Sequence, residues 1–97
     1  MPTTTQLQRM VHRALKDKAP KLHMELSNEG ALDKFVNHRV VAIEEAVRFA
    51  VNEANHKAGL ANLGFQDRVQ SVERAKRAAL EQAVSENLEF LIEEESP

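Results

Sequence analysis

The stretch of sequence that decides the fold is residues 31–57, ALDKFVNHRVVAIEEAVRFAVNEANHK. It contains neither glycine nor proline, and Gly30 and Gly59 flank it. This pattern predicts one long helix over residues 31–57, with Gly59 as the residue that stops it. At 100° per residue, the apolar side chains of this helix fill an arc of roughly 200°. These side chains are Leu32, Phe35, Val36, Val40, Ala42, Ile43, Ala46, Val47, Phe49, Ala50, Val51 and Ala54.

The width of this arc predicts how the helix packs. A helix with a single packing neighbour needs an apolar arc of only ~100°, so this helix is expected to contact more than one neighbour. Ile43 lies at the centre of the arc and is expected to be buried. Val41, two residues earlier, points to the polar side and is expected to be exposed.

Two shorter helices are predicted before this stretch. Thr5 and Gln8 have the spacing of a capping box, which predicts a helix over 5–18. Pro20 suits the first turn of a second helix over 20–29, and the glycine that follows suits the left-handed residue that ends it.

A second long helix is predicted over residues 65–93. Its apolar side chains cover about half of the helix circumference. They are Phe65, Val69, Val72, Ala75, Ala79, Leu80, Ala83, Val84, Phe90 and Leu91. The acidic end, Glu93–Glu95, is expected to fray because negative charge is unfavourable at a helix C-terminus. The sequence therefore predicts an all-α domain over 1–97, in which two short helices precede a long antiparallel helical hairpin.

The two long helices carry more apolar surface than the two short ones can cover. At ~1.5 Å per residue the long pair spans about 40 Å, and the short helices cover about half of that length. Ala75, Ala79 and Ala83 form a strip of small side chains, which either lets another helix approach closely or only favours helix formation. The remaining apolar surface needs a partner. We therefore expect a homodimer whose long helices form a shared bundle around a two-fold axis.

Composition limits the classes of function. The 13 Lys and Arg residues against 15 Asp and Glu residues leave a net charge of −2, too balanced for a histone-like protein. Without cysteine, the chain has no disulfide framework, thiolate nucleophile or Cys-based metal site. Its apolar runs fall well short of the ~20 residues that span a bilayer, and residues 1–5 do not have the pattern of a signal peptide. We expect a cytoplasmic protein that does not bind membranes.

A basic face on the first helix is the main candidate binding surface. Arg9, Arg13 and Lys16 recur at i, i+4 and i+7, opposite the apolar side of the helix. Residues 1–30 carry five basic and three acidic residues, whereas residues 65–97 carry four basic and eight acidic. The face has three interpretations: contact with nucleic-acid phosphates, contact with an acidic helix of a neighbouring subunit, or simple solvation. The second helix is too short for a good helix-turn-helix motif, so any phosphate binding is expected to be nonspecific.

Charged residues that interrupt the apolar arcs form a second candidate site. If the two long helices pair in register across their loop, Arg39 falls level with Ala83 and within a turn of Glu86 and Asn87. Together with Lys76, these residues are a candidate polar network in the seam of the bundle. The alternative is that Arg39 and Lys76 reach water along a seam and cover apolar surface with their methylene stems.

Catalytic and metal-binding patterns are weak. Glu53 and His56 have the i, i+3 spacing of di-iron bundle ligands, but His56 also suits the last turn of a helix, where it faces terminal carbonyls. The four serines lie in no Gly-x-Ser-x-Gly turn, and the sequence has no glycine-rich phosphate loop. We expect no catalytic residue, no metal ligand and no cofactor.

These patterns predict a small, non-enzymatic helical homo-oligomer that acts as a protein-interaction or adaptor module. Its expected partners are a second copy of the chain and another protein. The alternative is a nucleic-acid-binding accessory protein that uses Arg9, Arg13 and Lys16.

Overall fold

Four α-helices make up the described part of the chain. The computed structural model describes the backbone of residues 2–95 and the side chains of residues 2–89. The helices are α1 (Thr4–Lys18), α2 (Pro20–Glu29), α3 (Leu32–Leu60) and α4 (Phe65–Glu95), and residues 2–95 contain no strand. The predicted all-α fold class is confirmed. None of the helices in this range has the length and apolar character that a membrane span requires.

α1 begins earlier than predicted because a different capping box forms. The Thr3 hydroxyl accepts a hydrogen bond from the N–H of Gln6 at 3.1 Å, and the Gln6 Oε1 accepts one from the N–H of Thr3 at 2.8 Å. The predicted box of Thr5 and Gln8 is wrong, because the Gln8 side chain donates to the Asn37 Oδ1 of α3 at 2.8 Å. A side chain that links two helices in this way is not available to cap its own.

Left-handed residues end both α2 and α3. Gly30 has a φ of 70°, and the backbone bonds around it form the Schellman pattern expected from the sequence. The predicted end of the long helix at Lys57 is wrong, since α3 continues through Gly59 to Leu60. Asn62, with a φ of 55°, is the left-handed residue that follows the end of α3. Asparagine tolerates this conformation better than other side-chain-bearing residues, so a glycine is not needed there.

α3 and α4 lie side by side, and α1 packs in the groove between them. Near the α3–α4 loop, the Arg68 guanidinium donates to Asn55 Oδ1 at 3.5 Å, whereas Val40 and Ala83 share a core cluster further from the loop. The two long helices therefore run in opposite directions. The core cluster that α1 completes consists of Leu7, Val11, Val36, Val40, Ile43 and Ala83.

α2 covers the end of the long pair that lies away from the loop. Its Leu22 and Leu26 pack against a second core cluster. That cluster is formed by Ala14, Leu15 and Ala19, with Leu32, Phe35 and Leu88 packed against it. Both short helices therefore cover the same half of the α3–α4 pair.

The other half of the long pair extends beyond α1. The Thr4 hydroxyl donates to Glu44 Oε2 at 2.7 Å, so the first turn of α1 lies level with the middle of α3. At ~1.5 Å per residue, α3 continues for roughly 24 Å past that point. The molecule measures 53 × 24 × 15 Å. We call this uncovered half, residues 45–60 of α3 and 65–79 of α4, the loop end.

Candidate functional site

The predicted basic face lies on the exposed side of α1. Leu7 and Val11 of the same helix are buried, whereas Arg9, Arg13 and Lys16 are exposed. No salt bridge joins these three cations to a carboxylate within residues 2–89. Their charges are therefore available to a ligand.

A groove of about 690 Å³ runs between this basic face and α3. We call it the α1–α3 groove. Its lining residues are Thr5, Gln8, Arg9, His12, Arg13 and Lys16 of α1, with Asp33, Val36 and Asn37 of α3. The lining carries three cationic side chains and one carboxylate, so its charge is positive even with neutral His12.

Two contacts hold the walls of the α1–α3 groove in place. The bond from Gln8 to Asn37 joins α1 to α3. The His12 ring meets the His23 ring of α2 edge to face, with centroids 5.1 Å apart and planes at 86°. Both contacts come from elements outside α1, so the position of the basic face depends on the tertiary packing.

The spacing on α1 predicts one wall of this groove, whereas the α3 wall was not foreseen. Asp33 and Asn37 lie one turn apart and border the apolar arc of α3. In the sequence, this pair of polar residues was the feature that could have indicated the α3 wall. The sequence pattern does not say against which side of α3 the first helix packs, so the signal could not be assigned to a site.

A second candidate surface lies at the loop end. It is formed by Val51 and Asn55 of α3 and by Phe65, Val69 and Val72 of α4, and we call it the loop-end surface. All of these except Val51 line a shallow hollow of about 250 Å³, and Val51 is one turn before Asn55 on the same side of α3. The side chains of Phe65 and Val69 are 81% and 44% exposed. Large apolar side chains therefore face water here.

The loop-end surface continues the groove that holds α1. On α3, Asn37 and Glu44 bond to α1, and Val51 follows Glu44 at the same interval of seven residues. On α4, Ala83 packs against α1, and Val69 precedes it by two such intervals. Seven residues return a helix to nearly the same side. The groove that α1 fills at one end is therefore open at the other.

The predicted polar-network residues make several contacts. Lys76 pairs with Glu73 at 3.1 Å, and the Glu86 carboxylate accepts from Gln82 at 3.0 Å. The Asn87 amide donates to the carbonyl of Ala83 at 2.8 Å. The Arg39 guanidinium lies over the ring of Phe35, 5.0 Å from its centroid. A network that joins Arg39, Lys76, Glu86 and Asn87 stays a prediction.

The possible metal-ligand pair of Glu53 and His56 has no third ligand beside it among the described residues. Glu53 and His56 are both exposed on α3. No group of three or more His, Asp or Glu side chains able to hold a metal ion occurs among the described residues. What the described surfaces offer is positive charge and hydrogen bonding in the α1–α3 groove and apolar contact at the loop end.

Comparison of the chain with protein-family models, with curated proteins and with solved structures found no match.

Proposed function

We propose that this protein is a non-enzymatic interaction module, which works as a homodimer and binds another protein. The observation that carries the proposal is the open groove at the loop end, where Phe65 and Val69 face water. α1 fills the other half of the same groove, which supports a helix as the occupant. A helix from a partner molecule would fill it in the same way and would remove these apolar side chains from water.

A second copy of the chain is the partner that the dimensions favour. The loop end is roughly 24 Å long and two helices wide. Treated as a flat rectangle, it has an area of about 500 Å² per chain. Two loop ends packed face to face bury about 1,000 Å², the lower bound for a specific interface. Around a two-fold axis, the two antiparallel hairpins then form a four-helix bundle, and we expect a reversible dimer with a micromolar dissociation constant.

The surface for a different protein partner is then on the other side of the hairpin. Phe49 is 67% exposed and follows Val47, a buried residue, by two positions, so it points away from the seam with α4. In the dimer that we propose, this face stays in contact with water. Its aromatic side chain suits an adaptor surface, because aromatic residues contribute strongly to protein interfaces.

The test is sedimentation equilibrium on the wild-type chain and two matched variants, Val69→Asp and Val41→Asp. The two valines are similarly exposed, at 44% and 48%, but Val41 lies on the outer side of α3. Val69→Asp places a charge in the proposed interface and is expected to weaken the dimer at least about tenfold. Val41→Asp is expected to leave the dissociation constant unchanged.

Two results would contradict the proposal. One is a wild-type chain that stays monomeric at high micromolar concentration. The other is a wild-type dimer that Val69→Asp does not weaken relative to Val41→Asp. Circular dichroism of both variants controls for loss of helix.

A further inference from the structure

We propose that the α1–α3 groove binds the sugar–phosphate part of a ribonucleotide, either free or within a single RNA strand. This inference does not depend on the dimer, because the groove lies at the half of the molecule that α1 covers. It gives the basic face of α1 a defined ligand chemistry. The argument rests on the charges of the groove, their spacing and the polar side chains on the opposite wall.

The charges of the groove favour an anion. Arg9, Arg13 and Lys16 line it, and no carboxylate pairs with any of them within residues 2–89. Only Asp33 opposes them among the lining residues. Arginine presents a planar fork of donors that matches the oxygens of a phosphate, and a phosphate group bound to it makes short, charge-assisted hydrogen bonds.

The spacing of the cations favours a ligand that carries more than one phosphate group. Along α1, Arg13 lies about 6 Å beyond Arg9, and Lys16 lies about 10 Å beyond Arg9. A single carboxylate has two oxygens and satisfies one arginine fork. A phosphate ester has more acceptor oxygens, and a strand or a polyphosphate presents several such groups in a row.

The opposite wall favours hydroxyl groups beside the phosphate. Asp33 accepts hydrogen bonds when ionised and repels a phosphate, so its place in a cationic groove suits a ligand that also donates. Ribose hydroxyls are such donors, and carboxylates bind them in nucleotide sites. Asn37 and Gln8, whose side chains bond to each other, add further amide groups to this wall. The groove volume, about 690 Å³, falls in the range of sites for small ligands.

The experiment measures binding of fluorescently labelled oligouridine ribonucleotide to the full chain at low salt, with oligodeoxyuridine of the same length and ADP as separate arms. The test variant is Arg9→Gln with Arg13→Gln. Its matched control is Arg74→Gln with Arg77→Gln, which removes the same charge from exposed positions of α4. A third variant, Asp33→Asn, tests the hydroxyl contact. Circular dichroism confirms that each variant keeps its helices.

The proposal predicts a particular pattern of affinities. The wild-type chain and the α4 control bind oligouridine, with a logarithmic salt slope of about −2 if all three cations contact phosphates. The Arg9 and Arg13 double variant binds at least about tenfold more weakly, and its slope falls to about −0.7. Asp33→Asn reduces the preference for oligouridine over oligodeoxyuridine. Binding of ADP alone would identify a free nucleotide as the ligand, and binding of the strand alone would identify RNA.

Several results would overturn the proposal. One is that neither oligouridine nor ADP binds at low salt. Another is that the α4 control loses as much affinity as the groove variant. Equal binding of oligouridine and oligodeoxyuridine by the wild-type chain would remove the role of Asp33 and the choice of a ribonucleotide. If the basic face instead binds the acidic helix of another subunit, the groove variant alters self-association and nucleotide binding is absent.

Discussion

At the scale of single residues, burial along α3 follows the phase of the helix. Ile43 is fully buried in the cluster that α1 completes, whereas Val41 is 48% exposed. Both were predicted from the apolar arc alone. The two residues are only two positions apart, so the difference comes from their direction around the helix and not from their place along it.

This difference predicts unequal costs for two alanine substitutions. Ile43→Ala removes packed carbon atoms from the core and is expected to lower the free energy of unfolding by roughly 2–5 kcal/mol. Val41→Ala changes a side chain that faces water and is expected to change it by less than about 0.5 kcal/mol. Urea titration of both variants measures these values. Similar losses at the two positions would mean that the phase of α3 is wrong.

At the scale of helices, two glycines have opposite roles. Gly30 has a φ of 70° and ends α2, whereas Gly59 lies inside α3, and a Cβ added at either position meets no atom within 4 Å. Gly30→Ala is therefore expected to cost about 1 kcal/mol through backbone strain alone. Gly59→Ala is expected to stabilise the protein by up to about 1 kcal/mol, because alanine is the better helix former. Thermal unfolding of the two variants, with shifts of melting temperature in opposite directions, is the measurement. Two shifts of the same sign would refute these assignments.

The helices themselves could be predicted from the sequence, but several of their ends could not. The predicted end of the last helix at residue 93, with a frayed Glu93–Glu95, is wrong, because α4 continues to Glu95. Apolar periodicity, Pro20 and Gly30 determine where the elements lie. At the start of α1 and at the end of α3, more than one residue was able to form the helix cap. Gln8 bonds to α3 instead of capping α1, and α3 continues through Gly59 to the left-handed Asn62 beyond its end. Such choices are made by contacts between helices, which periodicity does not contain.

At the scale of the whole molecule, the width of the apolar arc on α3 predicts more than one neighbour, and α1, α2 and α4 all pack against this helix. Phe49 and Phe65 belong to predicted apolar faces, and both are largely exposed at the loop end. The basic residues of the α1–α3 groove could also be predicted, since they follow one another along one helix. The groove could not, because Asp33 and Asn37 reach it only through the way α1 packs on α3.

Small-angle X-ray scattering is the measurement that tests the loop-end dimer most directly, because it reports mass and shape together. A single chain has a Cα radius of gyration of 16.5 Å and a length of 53 Å. Two chains that overlap only at their loop ends form a particle with twice the mass and a maximum dimension of about 80 Å. A particle with the mass of one chain would contradict the account. So would a dimer whose length stays close to 53 Å, because its chains would lie side by side along their full length.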